Sequence, residues 1–172
     1  MSNDLAFNFN SLANSNSSVI NYGKINSNYV ALISTNVQNK GEINTKTDLA
    51  LTSGDNAKLA ISADGKLSVK ISDSTLQNLV ENEGTLKSEN GQVLIKASAA
   101  KSLVEATINS PSQKKKLISE NGVLKLVANT GTIEGKDIKI DAGENGRVIS
   151  SGTIDVSSDN SKAGSIEITG KE

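Results

Sequence analysis

Cysteine and histidine are both missing from this chain of 172 residues, and their absence excludes several kinds of chemistry at once. Without them, no disulfide bond, thiol nucleophile, imidazole base or zinc site with Cys and His ligands can form. Proline occurs only at Pro111, which favours long runs of backbone hydrogen bonding. The few aromatic residues all lie in the first thirty positions: Phe7, Phe9, Tyr22 and Tyr29. Any core after Tyr29 must therefore be aliphatic.

The chain also lacks a surplus of either charge. Its formal net charge is −1, with acidic and basic residues interspersed, so neither nucleic acid nor an anionic membrane is indicated as a partner. The triplet Lys114–Lys116 is interpreted as a solvated loop. No segment reaches the about 20 apolar residues that span a bilayer, and residues 1–18 lack the features of a signal peptide. These features fit a cytosolic protein or one whose sequence starts after an export signal.

What the chain does contain is a repeated pattern, Val-x-Asn-x-Gly-x-Ile, written five times with small variations. The copies are "VINYGKIN" (19–26), "VQNKGEIN" (37–44), "VENEGTLK" (80–87), "VANTGTIE" (127–134) and "VISSGTID" (148–155). The fixed residues alternate with free ones, so they share one face of an extended chain. A glycine in mid-pattern indicates a tight bend or a backbone with positive φ. Each copy therefore predicts a strand, a bend at Asn-x-Gly and a second strand.

The spacing of the copies predicts that they stack. The glycines are 18, 43, 47 and 21 residues apart. Counted as one, two, two and one units of roughly 20 residues, these intervals indicate an all-β parallel solenoid, or β-helix, of about seven coils. Parallel stacking places equivalent side chains above one another, with the asparagines in an inward amide ladder. The predicted ladder positions are Asn21, Asn39, Asn82, Asn129, Gly23, Gly41, Gly84, Gly131 and Gly152.

Short alternating segments between the copies are expected to supply the other walls of each coil. They are "DLALT" (48–52), "AKLAIS" (57–62), "GKLSVKIS" (65–72), "GQVLIKA" (91–97), "KDIKID" (136–141) and "GSIEIT" (164–169). Two segments have helical spacing instead, 72–82 and 98–109, and predict short helical excursions, the first ending near Leu79. Residues 1–18 are expected to form an N-terminal cap or leader, in which Leu5, Phe7 and Phe9 alternate. The β-helix domain is then 19–172.

Taken together, the Asn-x-Gly-x-Ile strands and the segments "GKLSVKISDSTLQNLVENEGTLKSENGQVLIKASAAKSLV" and "SSGTIDVSSDNSKAGSIEITGK" resemble the filamentous-haemagglutinin-type exoproteins of bacterial two-partner secretion. The resemblance covers roughly residues 19–171 and is most specific over 65–104. It implies a right-handed parallel β-helix, secreted through a partner β-barrel of the outer membrane, in proteins that act as adhesins, toxin carriers or haem scavengers. The family's upstream Asn-Pro-Asn-Gly stretch is absent here, so its role in transporter recognition is not carried over.

The resemblance implies a non-enzymatic extracellular stalk or adhesin-type segment of a bacterial surface exoprotein. Its implied partners are an outer-membrane transporter and a host-cell receptor, and no catalytic residue, cofactor or metal is implied. One alternative is a structural subunit that stacks end to end into a fibre. A second is a carbohydrate-active β-helix enzyme, for which Asp137 and Asp141 share an outward face and Asp155 lies about one coil on. Against it, Lys139 separates the first two, and no aromatic residue after Tyr29 could stack on a sugar.

Overall fold

The computed structural model describes residues 5–10, 17–71, 79–98, 124–156 and 164–170, which form eighteen β-strands. Three of the strands form an antiparallel side sheet: β1 (Leu5–Asn10), β8 (Asn56–Ile61) and β9 (Leu67–Ile71). The other fifteen form three parallel five-stranded walls. The first wall contains β2 (Ser18–Asn21), β5 (Asn36–Asn39), β10 (Leu79–Asn82), β13 (Leu124–Asn129) and β16 (Gly146–Ser150). The second contains β3 (Lys24–Ser27), β6 (Glu42–Thr45), β11 (Thr85–Ser88), β14 (Thr132–Glu134) and β17 (Thr153–Asp155). The third contains β4 (Val30–Ser34), β7 (Leu49–Ser53), β12 (Gln92–Ala97), β15 (Asp137–Asp141) and β18 (Ser165–Thr169).

Successive strands of the three walls make one rung, and the described rungs stack in parallel in the predicted register. Rung 1 is β2–β4, rung 2 is β5–β7, rung 3 is β10–β12, rung 4 is β13–β15 and rung 5 is β16–β18. The repeated valines pair from rung to rung in the order Val19, Val37, Val80, Val127 and Val148. The prediction of an all-β fold built from parallel stacked strands is therefore confirmed.

The intervals of 43 and 47 residues between repeat glycines each advance the stack by one rung. The prediction that each of them contains two units was wrong. Val37 pairs directly with Val80, and Val80 pairs directly with Val127, so no further strand of the first wall lies between them. In the first of these intervals, part of the chain leaves the stack to form β8 and β9. The described walls accordingly have five strands each. Division of the glycine spacings into units of roughly 20 residues had predicted about seven coils.

The core consists of four columns of stacked aliphatic side chains inside the walls. The repeat supplies one column of valines and one of isoleucines with Leu86, and the third wall supplies two more. In the middle rungs these side chains are almost completely buried: Val37, Ile43, Leu49, Leu51, Val80, Leu86, Val93, Ile95, Val127, Ile133, Ile138 and Ile140. Each rung is too small to enclose its own apolar face, so burial depends on the rungs above and below.

The segments at 57–62 and 65–72 were predicted to be walls, but their described residues, which end at Ile71, form the hairpin of the side sheet instead. β8 and β9 pair antiparallel around a tight turn in which Gly65 has a φ of +80°. Their buried residues Leu59 and Val69 pack on Ala50 and Leu94, which point outward from the third wall. An Asp-Gly turn favours a hairpin over a change of wall, and covering an outward apolar patch stabilises that hairpin.

The N-terminal strand is present, but it pairs with the side sheet rather than with rung 1. β1 runs antiparallel to β8, with Phe7 opposite Leu59 and Phe9 opposite Ala57. Its apolar side chains remain exposed, Phe7 by 44%. The predicted helical excursions fall mainly on 72–78 and 99–109, and Pro111 and Lys114–Lys116 follow them; all lie outside the described residues. In the described part of the chain, no helix is long and apolar enough to cross a membrane.

Candidate functional site

The predicted asparagines form a continuous hydrogen-bonded ladder along the inside of the first bend. Asn21 Nδ2 donates to Asn39 Oδ1 at 2.8 Å, and Asn39 Nδ2 donates to Asn82 Oδ1 at 2.9 Å. Asn82 Nδ2 donates to Asn129 Oδ1 at 2.8 Å, and Asn129 Nδ2 donates to Ser150 Oγ at 3.1 Å. Every amide donates in the same direction, towards the next rung. The ladder therefore has an acceptor end at Asn21 and a donor end at Ser150.

The backbone of the bend is tied to the rung before it in the same repeating way. The carbonyl oxygen of Asn39 accepts hydrogen bonds from the N–H groups of Glu83 and Gly84 at 2.8 and 3.1 Å. The same pair of bonds recurs at the next step, from Thr130 and Gly131 to the carbonyl oxygen of Asn82. Asn39, Asn82 and Asn129 are buried, so these bonds satisfy polar groups that water does not reach.

The glycines of the repeat are required by close approach of the backbone and not by positive φ. Among the described residues, positive φ is found at Gly65 and Gly143, and at none of the five repeat glycines. A Cβ on Gly41, Gly84 or Gly131 would overlap the carbonyl oxygen of the preceding glycine of the column. Gly152 is constrained in the same way by Gly131, whereas a Cβ on Gly23 would meet only Asn21 Oδ1, at 4.0 Å. Among the described residues, a Cβ therefore has room at the first of the five repeat glycines, Gly23, and not at the other four.

The carboxylates that suggested an enzyme are bonded to neighbouring rungs. Asp137 Oδ1 accepts hydrogen bonds from the backbone N–H and the hydroxyl of Ser165, at 3.1 and 2.7 Å. Asp141 Oδ1 accepts from Gly143 N at 2.9 Å and from Thr169 Oγ1 at 3.0 Å. Asp141 Oδ2 also lies 3.5 Å from Lys96 Nζ. Both carboxylates thus tie rung 4 to rung 5, and Asp141 also reaches rung 3.

Partial burial is the largest single influence on the pKa of Asp141, and it acts upward. The hydrogen bonds from Gly143 and Thr169 and the charge of Lys96 together outweigh it, so the pKa of Asp141 is lowered from its usual value. The carboxylate is held ionised by its neighbours, which is the opposite of what a general acid needs at neutral pH.

Opposite charges on the outer surface also join adjacent rungs. Ion pairs link rung 1 to rung 2, rung 2 to rung 3, rung 3 to rung 4 and rung 4 to rung 5: Lys24–Glu42, Lys40–Glu83, Lys87–Glu134 and Lys139–Glu167, at 2.9–3.2 Å. Hydrogen bonding from Asn44 and the pairing with Lys24 lower the pKa of Glu42. Each exposed pair is weak, but all of them favour the observed register over a shifted one.

Sequence reasoning missed one buried carboxylate, Asp48, at the junction of the third wall and the side sheet. Its oxygens accept hydrogen bonds from Leu67 N at 2.8 Å, from Gln92 N at 3.0 Å and from Gln92 Nε2 at 2.9 Å. Asp48 lies beside a cleft of about 340 Å³ that Asp64, Lys66, Lys136 and Asp137 also line. Asp48 anchors β9 to rungs 2 and 3, and the described residues contain no group of acidic side chains that could hold a metal ion.

The chain matches no model of a known protein family, and no curated protein is significantly similar to it. The site is therefore interpreted from its own geometry. Its repeated features, the amide ladder, the glycine column and the ion pairs, all connect one rung with the next.

Proposed function

We propose that the chain is a non-enzymatic, extracellular β-helical stalk of a bacterial surface exoprotein resembling filamentous haemagglutinin. The observation that carries the proposal is that polar side chains, both inside and outside the coil, bond to residues of the adjacent rung. The amide ladder does so inside, and the pairs Lys87–Glu134 and Lys139–Glu167 do so outside. Side chains arranged to hold rungs together suit a spacer that keeps its shape outside the cell.

The proposal includes a right-handed winding of the coil. A chain that passes from one parallel strand to the next in the same sheet does so right-handedly in nearly all proteins, because of the twist of the strands. The path from β2 through the other two walls to β5 is such a crossover, and the resemblance implies the same hand.

The proposal also includes an outer-membrane transporter as the export partner and a host-cell receptor as the target of the mature exoprotein. Both are supported by the resemblance over residues 19–171. Export in an extended state followed by folding outside suits this chain, because its repeat can add one rung at a time to a growing stack. The absence of cysteine means that folding needs no oxidation step.

Surface display tests the stalk proposal. The chain would be joined to the secretion segment of a filamentous-haemagglutinin-type exoprotein and expressed with that protein's transporter. We expect the chain to reach the cell surface and to resist added protease throughout its rungs, since stacked strands open rarely. Val127→Asp is the matched control, because an unpaired charge in the core should abolish the protection. Intracellular retention of the wild-type chain, or its digestion at the surface as fast as Val127→Asp, would count against a stalk.

The enzyme alternative is tested separately with Asp137→Asn and Asp141→Asn. A stalk requires that purified wild-type protein and both variants be equally inactive on bacterial and host polysaccharides. Glycan cleavage by the wild type that disappears in either variant would replace the stalk by a carbohydrate-active enzyme.

A further inference from the structure

We propose that rung 5 of one copy of this chain binds rung 1 of a second copy, so that copies join head to tail. The proposal rests on the stalk function, because it needs the rungs to form a stable solenoid. It goes further by naming the partner, a second copy, and the surfaces that meet, which are the edges of β16–β18 and of β2–β4 that no described strand pairs with.

At each end of the described stack, some core side chains lie on an edge that no described strand covers. On rung 5, Ile166 and Ile168 continue the two columns of the third wall but are 46% and 48% exposed. On rung 1, Val19 and Ile25 begin the columns of the repeat and are only partly buried. A junction in the existing register would place each column of one copy on the same column of the next. It would also pair backbone groups of strand edges that otherwise remain open to association.

The glycine column gives the most specific argument. Gly41, Gly84, Gly131 and Gly152 are glycines because the preceding rung leaves no room for a Cβ. Gly23 meets no such obstacle among the described residues of its own chain, although its residue type is the same. If rung 5 of another copy lay on rung 1, the carbonyl of Gly152 would occupy the place above Gly23. Rung 1 thus has, beside Gly23, the space that a preceding rung would need.

The amide ladder is complementary at its two ends. Ser150 ends the ladder with a hydroxyl that can donate one hydrogen bond onward while it accepts from Asn129. Asn21 begins the ladder, and its Oδ1 accepts from Gly23 N at 3.1 Å, where the described residues provide no carbonyl of a preceding rung for that N–H. In a junction, Gly23 N would bond the Ser150 carbonyl, as Gly41 N bonds that of Asn21, and Asn21 Oδ1 would accept from the Ser150 hydroxyl.

The outer surfaces of the two ends also match. Ile20 and Ile149 point outward next to the paired valines and are both exposed by about two fifths, at 42% and 41%. In the continued register they would cover each other. In the second wall, Asp155 would lie opposite Asn26 and diagonal to Lys24, so an acidic and a basic residue would be near neighbours. No like charges would be placed opposite each other at these positions.

Such a contact joins two different surfaces of the same chain. It therefore leaves one free end on each side after every addition, and the product is an open filament and not a closed dimer. The expected repeat along the filament is five strand spacings of about 4.8 Å each, or roughly 24 Å per copy.

Gly23→Val tests the junction, because a Cβ at this position meets no described atom closer than Asn21 Oδ1, at 4.0 Å, but would overlap the Gly152 carbonyl oxygen of a preceding copy. Purified full-length wild-type protein would be examined by light scattering and electron microscopy over a range of concentrations. We expect wild-type particles with masses in multiples of 17.9 kDa. Gly23→Val should remain a monomer with unchanged β circular dichroism and melting temperature. Wild-type protein that is monomeric at every concentration, or Gly23→Val that assembles like wild type, would overturn the proposal.

A mixing experiment determines whether the contact is head to tail. Ile166→Asp blocks rung 5, whereas Gly23→Val blocks rung 1, so each variant alone should be monomeric. When mixed, the free rung 5 of Gly23→Val should bind the free rung 1 of Ile166→Asp, and growth should stop at a dimer of mixed composition. A mixture that stays monomeric although both variants are folded would overturn the proposal.

The exposed strand β1 provides the remaining control. Phe7→Lys with Phe9→Lys removes the apolar character of this side edge without altering rung 1 or rung 5. We expect this double variant to assemble like wild type, and loss of assembly would assign the association to β1 and overturn the head-to-tail proposal. A folded chain that never assembles would still leave the stalk function standing, because that function is tested by protection at the cell surface.

Discussion

The middle rungs and the last rung carry the same kind of inward side chain but bury it to very different degrees. Ile95, Ile140 and Ile168 follow one another in a single column of the third wall. The first two are 1% and 0% exposed, whereas Ile168 is 48% exposed. The side chains and their backbone setting are alike, so the difference comes from the number of neighbouring rungs. A rung of this protein is stabilised mainly by the rungs on either side of it.

This contrast extends to the polar and the glycine positions. Asn39 is bonded to an amide side chain on each side, whereas among the described residues Asn21 is bonded to an amide side chain on one side only. Gly84 is pressed against Gly41, whereas Gly23 is open. The same substitution should therefore lower the free energy of unfolding more in a middle rung than in a terminal rung. The pairs of variants below test this, in order of decreasing expected difference.

The largest difference is expected between Val127→Asp and Val148→Asp. Val127 is fully buried between two rungs, and an unpaired carboxylate there should unfold the neighbouring rungs. Among the described residues, Val148 has a neighbouring strand on one side only, so the carboxylate of Val148→Asp can remain hydrated and most of the stack should survive. Circular dichroism measures the β structure that each variant retains, and urea unfolding measures its stability. A soluble Val127→Asp variant with an unchanged β spectrum would contradict the dry interior of the stack.

The next difference is expected between Gly84→Ala and Gly23→Ala. The new Cβ at Gly84 would overlap the carbonyl oxygen of Gly41, and relieving such overpacking costs on the order of 1–3 kcal/mol or more. The Cβ at Gly23 has room, so its free energy of unfolding should change by less than about 0.5 kcal/mol at protein concentrations where the chain is monomeric. Equal losses at the two positions would mean that glycine is needed for the bend itself.

A smaller difference is expected between Asn39→Ala and Asn21→Ala. Removal of the Asn39 amide takes away the donor to the buried Asn82 Oδ1 and to the carbonyl oxygens of Gly41 and Thr85, and it should cost on the order of 1–3 kcal/mol. Asn21 lies at the partly exposed end, where water can replace the lost partner. Thermal unfolding of the two variants measures this, and a melting temperature of Asn39→Ala equal to that of wild type would show that the ladder contributes nothing.

The smallest difference concerns acid. The pKa values of Asp141 and Glu42 are lowered in the folded chain, so each contributes stability above the unfolded carboxyl pKa of about 4 and loses it as the pH falls through the lower folded value. Asp141 contacts rungs 3 and 5, whereas Glu42 reaches another rung only through Lys24. Asp141→Asn should therefore flatten the fall in melting temperature below about pH 4 more than Glu42→Gln does. An identical acid dependence in both variants would remove this distinction.

Much of the stack could be predicted from the sequence because it repeats its inward residues. Val80 and Val127 hold the same position in two copies of the repeated pattern, and they pair in that register. The same holds for Asn82 and Asn129, whose amides are bonded. Stacked positions see nearly identical surroundings, so the sequence is restricted in the same way at each rung.

The number of rungs could not be predicted by dividing intervals, because an interval does not say whether its residues stay in the walls. The turn at Asp64-Gly65 was the available signal for a hairpin that leaves the stack. The role of Asp48 had no comparable signal. Its partners Leu67 and Gln92 are 19 and 44 residues further along the chain, and they meet only when the side sheet packs on the third wall.

Equivalent residues of successive rungs lie directly beside each other, and engineered cysteine pairs test this register in a chain that has no cysteine of its own. Thr85 and Thr132 pair on adjacent strands of the second wall. Their Cys/Cys double variant should oxidise to an intramolecular disulfide, since adjacent strands bring Cα atoms within the range such a bond needs. Thr85→Cys with Glu134→Cys, shifted by two residues and roughly 8 Å apart, should not. Equal cross-linking of both pairs, or of neither, would contradict the register on which the fold and both proposals depend.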